Sequence, residues 1–307
     1  MAVFLPAITI GWDPIIFDLG PTSIGWHGVL MLLGMVVATL LTARFAEQSG
    51  IPRYWVYTTA FWIILFGLIG ARLSHVLDEL DVYSENPTQI LAFWEGGLGW
   101  YGGLLGGLAA GIVCARVNKV RVGQFADAVA PAAILGLAIG RIGCTINGDA
   151  YGTPTDLPWG LIYTHPDAYA DPLVAGHPAP VYEIFWNLIV FGVLYKLRGR
   201  LKPEGALFLT MLAMYSAGRF CISWVRAEDA LVGPLHQSHV FSLLLFTVAV
   251  GLLAYWRVRW VSARPETAEV LSDASARPST EEQPRNTAQS PPEDTSGATE
   301  QGQNREY

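Results

Sequence analysis

The sequence predicts an all-α integral membrane protein of seven transmembrane helices, with its N-terminus outside and its C-terminus in the cytoplasm. Three observations lead there. Of 307 residues, 52% are hydrophobic and only 15% are charged, against about 25% charged in a soluble domain. The apolar residues gather into runs long enough to cross a bilayer, which takes about 20 residues of helix. The connections between those runs alternate between basic and acidic, as the positive-inside rule requires.

The spans are expected at roughly 27–47, 54–77, 98–116, 124–143, 180–197, 204–225 and 238–258. Before the first, MAVFLPAITIGWDPIIFDLG has no Lys or Arg, so it lacks the positive region of a secretory signal and reads as an interfacial segment. The third and fourth spans carry YGGLLGGLAAG and APAAILGLAIG; small residues let backbones approach closely, so both are expected at the centre of the bundle. Arg44 and Arg53 flank the first connection, Arg116, Lys119 and Arg121 the third, and Lys196, Arg198, Arg200 and Lys202 the fifth. These read as cytoplasmic, with Arg257, Arg259 and Arg264 after the last span. The acidic second connection and the fourth, 144–179, then lie outside.

The membrane domain is expected to occupy residues 1–260. Residues 261–307 are rich in Pro, Ser, Thr and Glu and read as a disordered acidic cytoplasmic tail; between Arg264 and Tyr307 stand nine acidic and four basic residues. The acidic net charge of −7 is thus largely a property of the tail. Cys114, Cys144 and Cys221 are too widely spaced to suggest a disulfide framework or a metal site. No P-loop, Ser-His-Asp pattern or metal-ligand spacing is present, so neither metal nor cofactor is expected, nor a nucleic-acid partner.

Polar residues gather at the outer ends of the spans. His27 opens the first, Tyr101 the third, and Arg141 closes the fourth, followed by Cys144, Asn147, Asp149, Tyr151 and Gly152. His177, Tyr182 and Glu183 open the fifth, Arg219 interrupts the sixth, and Arg226 is expected two turns further along the same helix face. An ionised group in a span is costly unless paired or facing a polar cavity. Taken singly, Arg141 reads equally as a snorkelling side chain and Arg226 as an interfacial anchor; Glu183 reads as a counter-ion, and Asn147 and Asp149 as turn formers. Three arginines at one depth favour a shared pocket for an anion, since a guanidinium binds phosphate bidentately. An outer-leaflet phospholipid headgroup is the natural ligand.

The strings GWHGVLMLLG, GWYGGLLGG, AIGRIGCTINGDAYGTPTDLPWG, HPAPVYE and YSAGRFCISWVR, in this order, resemble the bacterial prolipoprotein diacylglyceryl transferases over about residues 20–260. The resemblance implies a multi-pass enzyme of the plasma membrane, with phosphatidylglycerol, prolipoprotein signal peptides and the lipid bilayer as partners; nothing in the sequence demands more than a monomer. That family moves the diacylglyceryl group of phosphatidylglycerol onto the lipobox cysteine of a prolipoprotein signal peptide, forming a thioether and releasing glycerol phosphate. It implies headgroup-binding and catalytic roles for Arg141 and Arg219, and headgroup or pocket roles for Asn147, Asp149, Gly152, Glu183 and Arg226.

The sequence departs from the family pattern at several of these positions. His27 stands where Tyr is common, Tyr101 where His is common, Cys144 for an Asn, Asp149 for a Glu, and Ser223 for an acidic residue. If His27 and Tyr101 face each other, the imidazole has changed walls, and His27 takes the thiol proton directly or through Tyr101. The departures also leave open a paralogue that binds phospholipid without transfer, or an outer-face thiol or redox protein using Cys144, whose thiolate Arg141 would favour.

Overall fold

The computed structural model describes residues 7–20, 22–92, 96–228, 230–233 and 235–262. The chain divides into two units, 1–259 and 260–307; the tail expected at 261–307 lies almost wholly outside the described residues.

Among the described residues, seven helices are long and apolar enough to cross a membrane. They are α1 (Trp26–Glu47), α2 (Arg53–Asp78), α4 (Trp100–Val117), α5 (Val122–Asn147), α6 (Ala179–Leu197), α7 (Ala206–Ser223) and α8 (Gln237–Ser262), with a short α3 (Leu80–Glu85) after α2. All seven expected spans are present, with ends shifted by a few residues. The shift that bears on the site is at α5, which runs on to Asn147 and ends where Gly148 turns left-handed at φ 75°. Arg141 therefore does not close its helix, and the connection that follows begins at 148.

Three small ribbons decorate the end of the bundle where α1 begins. In the first, β1 (Ile8–Ile10) runs parallel to β4 (Leu161–Tyr163). In the second, β2 (Ile15–Leu19) pairs antiparallel with β3 (Thr22–Gly25), which leads directly into α1. The third is the hairpin of β5 (Ala230–Val232) and β6 (Leu235–His236) between α7 and α8.

Helix α5 is central, packing against α1, α6 and α7. Its seam with α1 is a contact of backbones. A Cβ on Gly34 would stand 2.5 Å from the Gly136 carbonyl oxygen, and one on Gly143 would stand 2.9 Å from the His27 Cα. Helix α4 is different from the expectation. Its glycine face packs on α2, with Gly102 against Gly70, but Leu105 and Leu108 on its other side are at least half exposed. Small residues mark close contact with one neighbour, and a peripheral helix can have such a neighbour as readily as a central one.

The two ends of the bundle use charge differently. At the end where α1 finishes, ion pairs are separate and more exposed, as in Arg53–Glu47 at 2.5 Å and Arg121–Glu204 at 2.8 Å. At the other end the charges are gathered and buried.

Candidate functional site

The site is built where α1, α4, α6 and α8 begin and α5 and α7 end. Glu183, in the second turn of α6, is its centre and is 3% exposed. Three arginines converge on its carboxylate. Arg141 Nε lies 2.5 Å from Oε2, while Arg219 Nη1 and Arg226 Nη1 donate to Oε1 at 2.5 and 3.1 Å. A buried carboxylate survives only with such compensation.

A second acid completes the cluster. Glu228 Oε1 accepts from Arg219 Nη2 at 2.9 Å and lies 2.6 Å from Arg226 Nε; its Oε2 accepts from the Ser238 hydroxyl at 2.6 Å. Burial alone would raise the Glu228 carboxyl, but the Ser238 hydrogen bond and the Arg226 and Arg219 charges hold it below its usual value. Arg226 is lowered by burial and by the neighbouring Arg219 charge. Three guanidinium groups thus share two carboxylates, leaving one surplus positive charge in a half-buried setting. An anion is the ligand that balances it.

The placement of Arg226 differs from the expectation. Helix α7 ends at Ser223, so Arg226 is not on the same helix face as Arg219. It is carried by a loop, and Gly152 is what holds that loop. Gly152 and Arg226 form an isolated antiparallel bridge, flanked by Thr153 N–H to Val225 O at 2.9 Å and Ala227 N–H to Tyr151 O at 3.2 Å. A Cβ on Gly152 would stand 2.5 Å from each of the His177 Cβ, the His177 O and the Val225 O. Only glycine fits between the two strands of chain.

Asn147 also departs from its expected loop position. It is the last residue of α5, and its carbonyl accepts from Tyr169 N–H at 3.2 Å; its side chain makes no hydrogen bond among the described residues. Tyr163 donates to the Thr145 carbonyl at 2.7 Å, and burial raises its phenol.

His27 is brought to Asp149 and Cys144. Its Nδ1 lies 3.4 Å from Asp149 Oδ2 and 3.6 Å from Cys144 Sγ, and Arg141 Nη1 lies 3.6 Å from the same sulfur. Tyr101 is not joined to His27 by any hydrogen bond among the described residues. It stacks on Phe241 with ring centroids 4.6 Å apart, within electrostatic reach of Glu228 and Arg219. His177 Nδ1 lies 3.4 Å from the Tyr182 hydroxyl.

Two features escaped the sequence. Glu228 carried no motif, and its role rests on a loop folding back across the end of α7. Cys144, which the sequence sets beside Arg141, also has His27 beside it, 117 positions away.

A cavity of about 130 Å³ lies beneath the 148–178 connection, lined by Gly152, Thr153, Leu161, Tyr163, His177 and Ala227. It is smaller than the ~300–1,000 Å³ of ordinary ligand pockets, and none of the three arginines lines it. The chemistry lies with the charged cluster.

The family model described as prolipoprotein diacylglyceryl transferase matches residues 14–255. Among the curated proteins similar to this chain is the phosphatidylglycerol–prolipoprotein diacylglyceryl transferase of Trichormus variabilis, 34% identical over 270 residues, covering 84% of this chain and 95% of the relative. The protein of the same name from Clostridioides difficile is 36% identical over 243 residues, covering 79% and 94%. That from Staphylococcus aureus is 32% identical over 254 residues, covering 81% and 90%.

Proposed function

The chain belongs to the prolipoprotein diacylglyceryl transferase family, and from that premise we propose how its own residues carry the reaction. The chain is a transferase of lipoprotein biosynthesis in a membrane. It takes the diacylglyceryl group of phosphatidylglycerol and attaches it to the lipobox cysteine of a prolipoprotein. The thiolate sulfur attacks a glycerol carbon, the carbon–oxygen bond to phosphate breaks, and glycerol phosphate leaves with the bonding electrons.

The observation that carries this reading is the surplus positive charge of the arginine–glutamate cluster. Arg141 and Arg219 hold the phosphate and stabilise the charge that grows on it as it departs. Glu183 and Glu228 keep the guanidinium groups aligned before the lipid arrives, so little reorganisation is needed during reaction. Arg226 and the Gly152 bridge close one side of the headgroup pocket. The thiol proton goes to His27, and the Asp149 carboxylate beside Nδ1 stabilises the imidazolium that forms. The proton passes directly, and Tyr101 serves as a wall.

The basic connections at the far end support an orientation with the site at the outer face of a bacterial plasma membrane, the N-terminus outside and the C-terminus inside. The chain acts as a monomer in this reading, since all the residues of the cluster come from one copy.

The test is direct. Purified protein in detergent, given phosphatidylglycerol and a lipobox peptide, should add a diacylglyceryl mass to the peptide cysteine. Arg141→Ala and Arg219→Ala should each lower the rate about 10²–10³-fold, as removal of a transition-state donor does. A peptide that gains no mass, with lipid still bound, would move the chain to a phospholipid-binding role.

A further inference from the structure

His27, Cys144 and Asp149 each offer one ligand atom, and the three atoms lie within 4.8 Å of one another. We propose that they form a binding site for a soft divalent cation of the Zn²⁺ class, held by one nitrogen, one sulfur and one oxygen.

The distances carry the proposal. A tetrahedral Zn²⁺ sits ~2.0–2.1 Å from nitrogen, ~2.3 Å from sulfur and ~2.0–2.2 Å from a carboxylate oxygen, which sets nitrogen and sulfur ~3.6 Å apart and nitrogen and oxygen ~3.4 Å apart. The His27 Nδ1 to Cys144 Sγ separation is 3.6 Å, and the His27 Nδ1 to Asp149 Oδ2 separation is 3.4 Å. One nitrogen faces both partners, as it does when a single ion lies between them. A proton relay of the Cys-His-Asp kind differs, because it uses the two ring nitrogens separately.

The surroundings suit a cation. Arg141 Nη1 lies 3.6 Å from the sulfur, and its charge is already matched by Glu183. Asp149 Oδ1 is buried without a hydrogen-bond partner, so a bound cation would compensate a carboxylate that the protein leaves half satisfied. The sulfur selects zinc-like ions over magnesium or calcium. His27 and Asp149 are 37% and 32% exposed, so the fourth coordination position faces outward, as in zinc sites that keep an open position.

One consequence rests on the transferase reading. A metal on Nδ1 leaves the ring proton on Nε2, so His27 keeps no free lone pair to act as a base; Zn²⁺ then suppresses transfer, and a chelator restores it.

The test of the site itself is independent of activity. Full-length protein in detergent is titrated with Co²⁺ alone, whose bond to a thiolate gives a near-ultraviolet charge-transfer absorption. The site predicts that absorption at one equivalent, its loss in Cys144→Ser and in His27→Phe, its persistence in Cys114→Ser and Cys221→Ser, and its displacement by Zn²⁺. No such absorption, or one that survives Cys144→Ser, overturns the site. Co²⁺ binding without peptide lipidation would leave the site standing and remove the transferase; lipidation without Co²⁺ binding would do the reverse. With both present, Zn²⁺ should lower transfer at least tenfold in the wild type and leave Cys144→Ser unaffected. Wild-type transfer unchanged in saturating Zn²⁺ would overturn the link to His27.

Discussion

Glu228 accepts the Nη2 of Arg219 at 2.9 Å from beyond the end of the helix that carries Arg219. One turn after Arg219, on the helix itself, stands Ser223, whose hydroxyl is spent on the Arg219 carbonyl at 2.7 Å. The acid at this site is therefore supplied by the loop. A loop carboxylate can move with the substrate more readily than one fixed on a helix, and its partners are correspondingly open to test.

Glu228 gives a pH signature. Its folded-state value is depressed, so its contribution to stability is complete above the usual carboxylate value of 4.5 and is lost as the pH falls through the lower, folded-state value. Thermal stability in detergent should differ most between wild type and Glu228→Gln near neutrality, and the difference should close on acidification. A difference that stays constant with pH would show that the Glu228 charge contributes nothing.

Glu183→Leu removes the one group that three arginines share. Breaking a buried pair by deleting one partner costs about 3–5 kcal/mol, so the unfolding temperature in detergent should drop sharply and the lipidation rate with it. Glu183→Gln keeps the shape and loses the charge; it should fall between. A Leu variant as stable as wild type would mean that the arginines repel one another less than their spacing implies.

Gly152→Ala should push the Arg226 loop away from the 148–178 connection. Overpacking of this kind costs about 1–3 kcal/mol, and the expected kinetic effect is a raised KM for phosphatidylglycerol, because the headgroup wall moves. Gly192, in α6, has open space around its Cα, so Gly192→Ala is the matched control and should leave both stability and KM near wild type. Equal behaviour of the two variants would refute the bridge as a positioning element.

His27→Phe should lower transfer about 10²–10⁴-fold, the range of a lost general base, while the protein still reaches the membrane. Its dependence on pH should flatten over the range where the wild type loses activity on acidification. Retained transfer would take His27 out of the chemistry.

The seven spans were legible because hydrophobic length and charge alternation are local properties, readable window by window. The cluster of Arg141, Glu183 and Arg219 was legible for a related reason: each residue is anomalous where it stands, polar at the end of an apolar run. Glu228 was not, since an acid in a loop is ordinary, and only the fold reveals that the loop returns. The same holds for the approach of His27 to Cys144 and Asp149. Metal ligands are recognised in sequence by short spacing, and here the ligands come from α1 and from the far end of α5. Three positions at which this chain departs from its family pattern, noted separately along the sequence, turn out to be neighbours in space. Tyr101 is the converse case: the exchange with His27 suggested opposing walls, and no bond joins the two.

The glycine seam between α1 and α5 has a mechanical meaning. Two helices in backbone contact along Gly34, Gly136 and Gly143 have no side-chain layer to compress and no room to slide. They behave as one beam, with His27, Cys144 and Asp149 clamped at its tip like the jaws of a gauge. Arg219 and Arg226 are mounted elsewhere, on α7 and the loop that follows. Arg141 rides on the same beam, so the phosphate clamp has one guanidinium fixed beside the gauge and two mounted on a separate support.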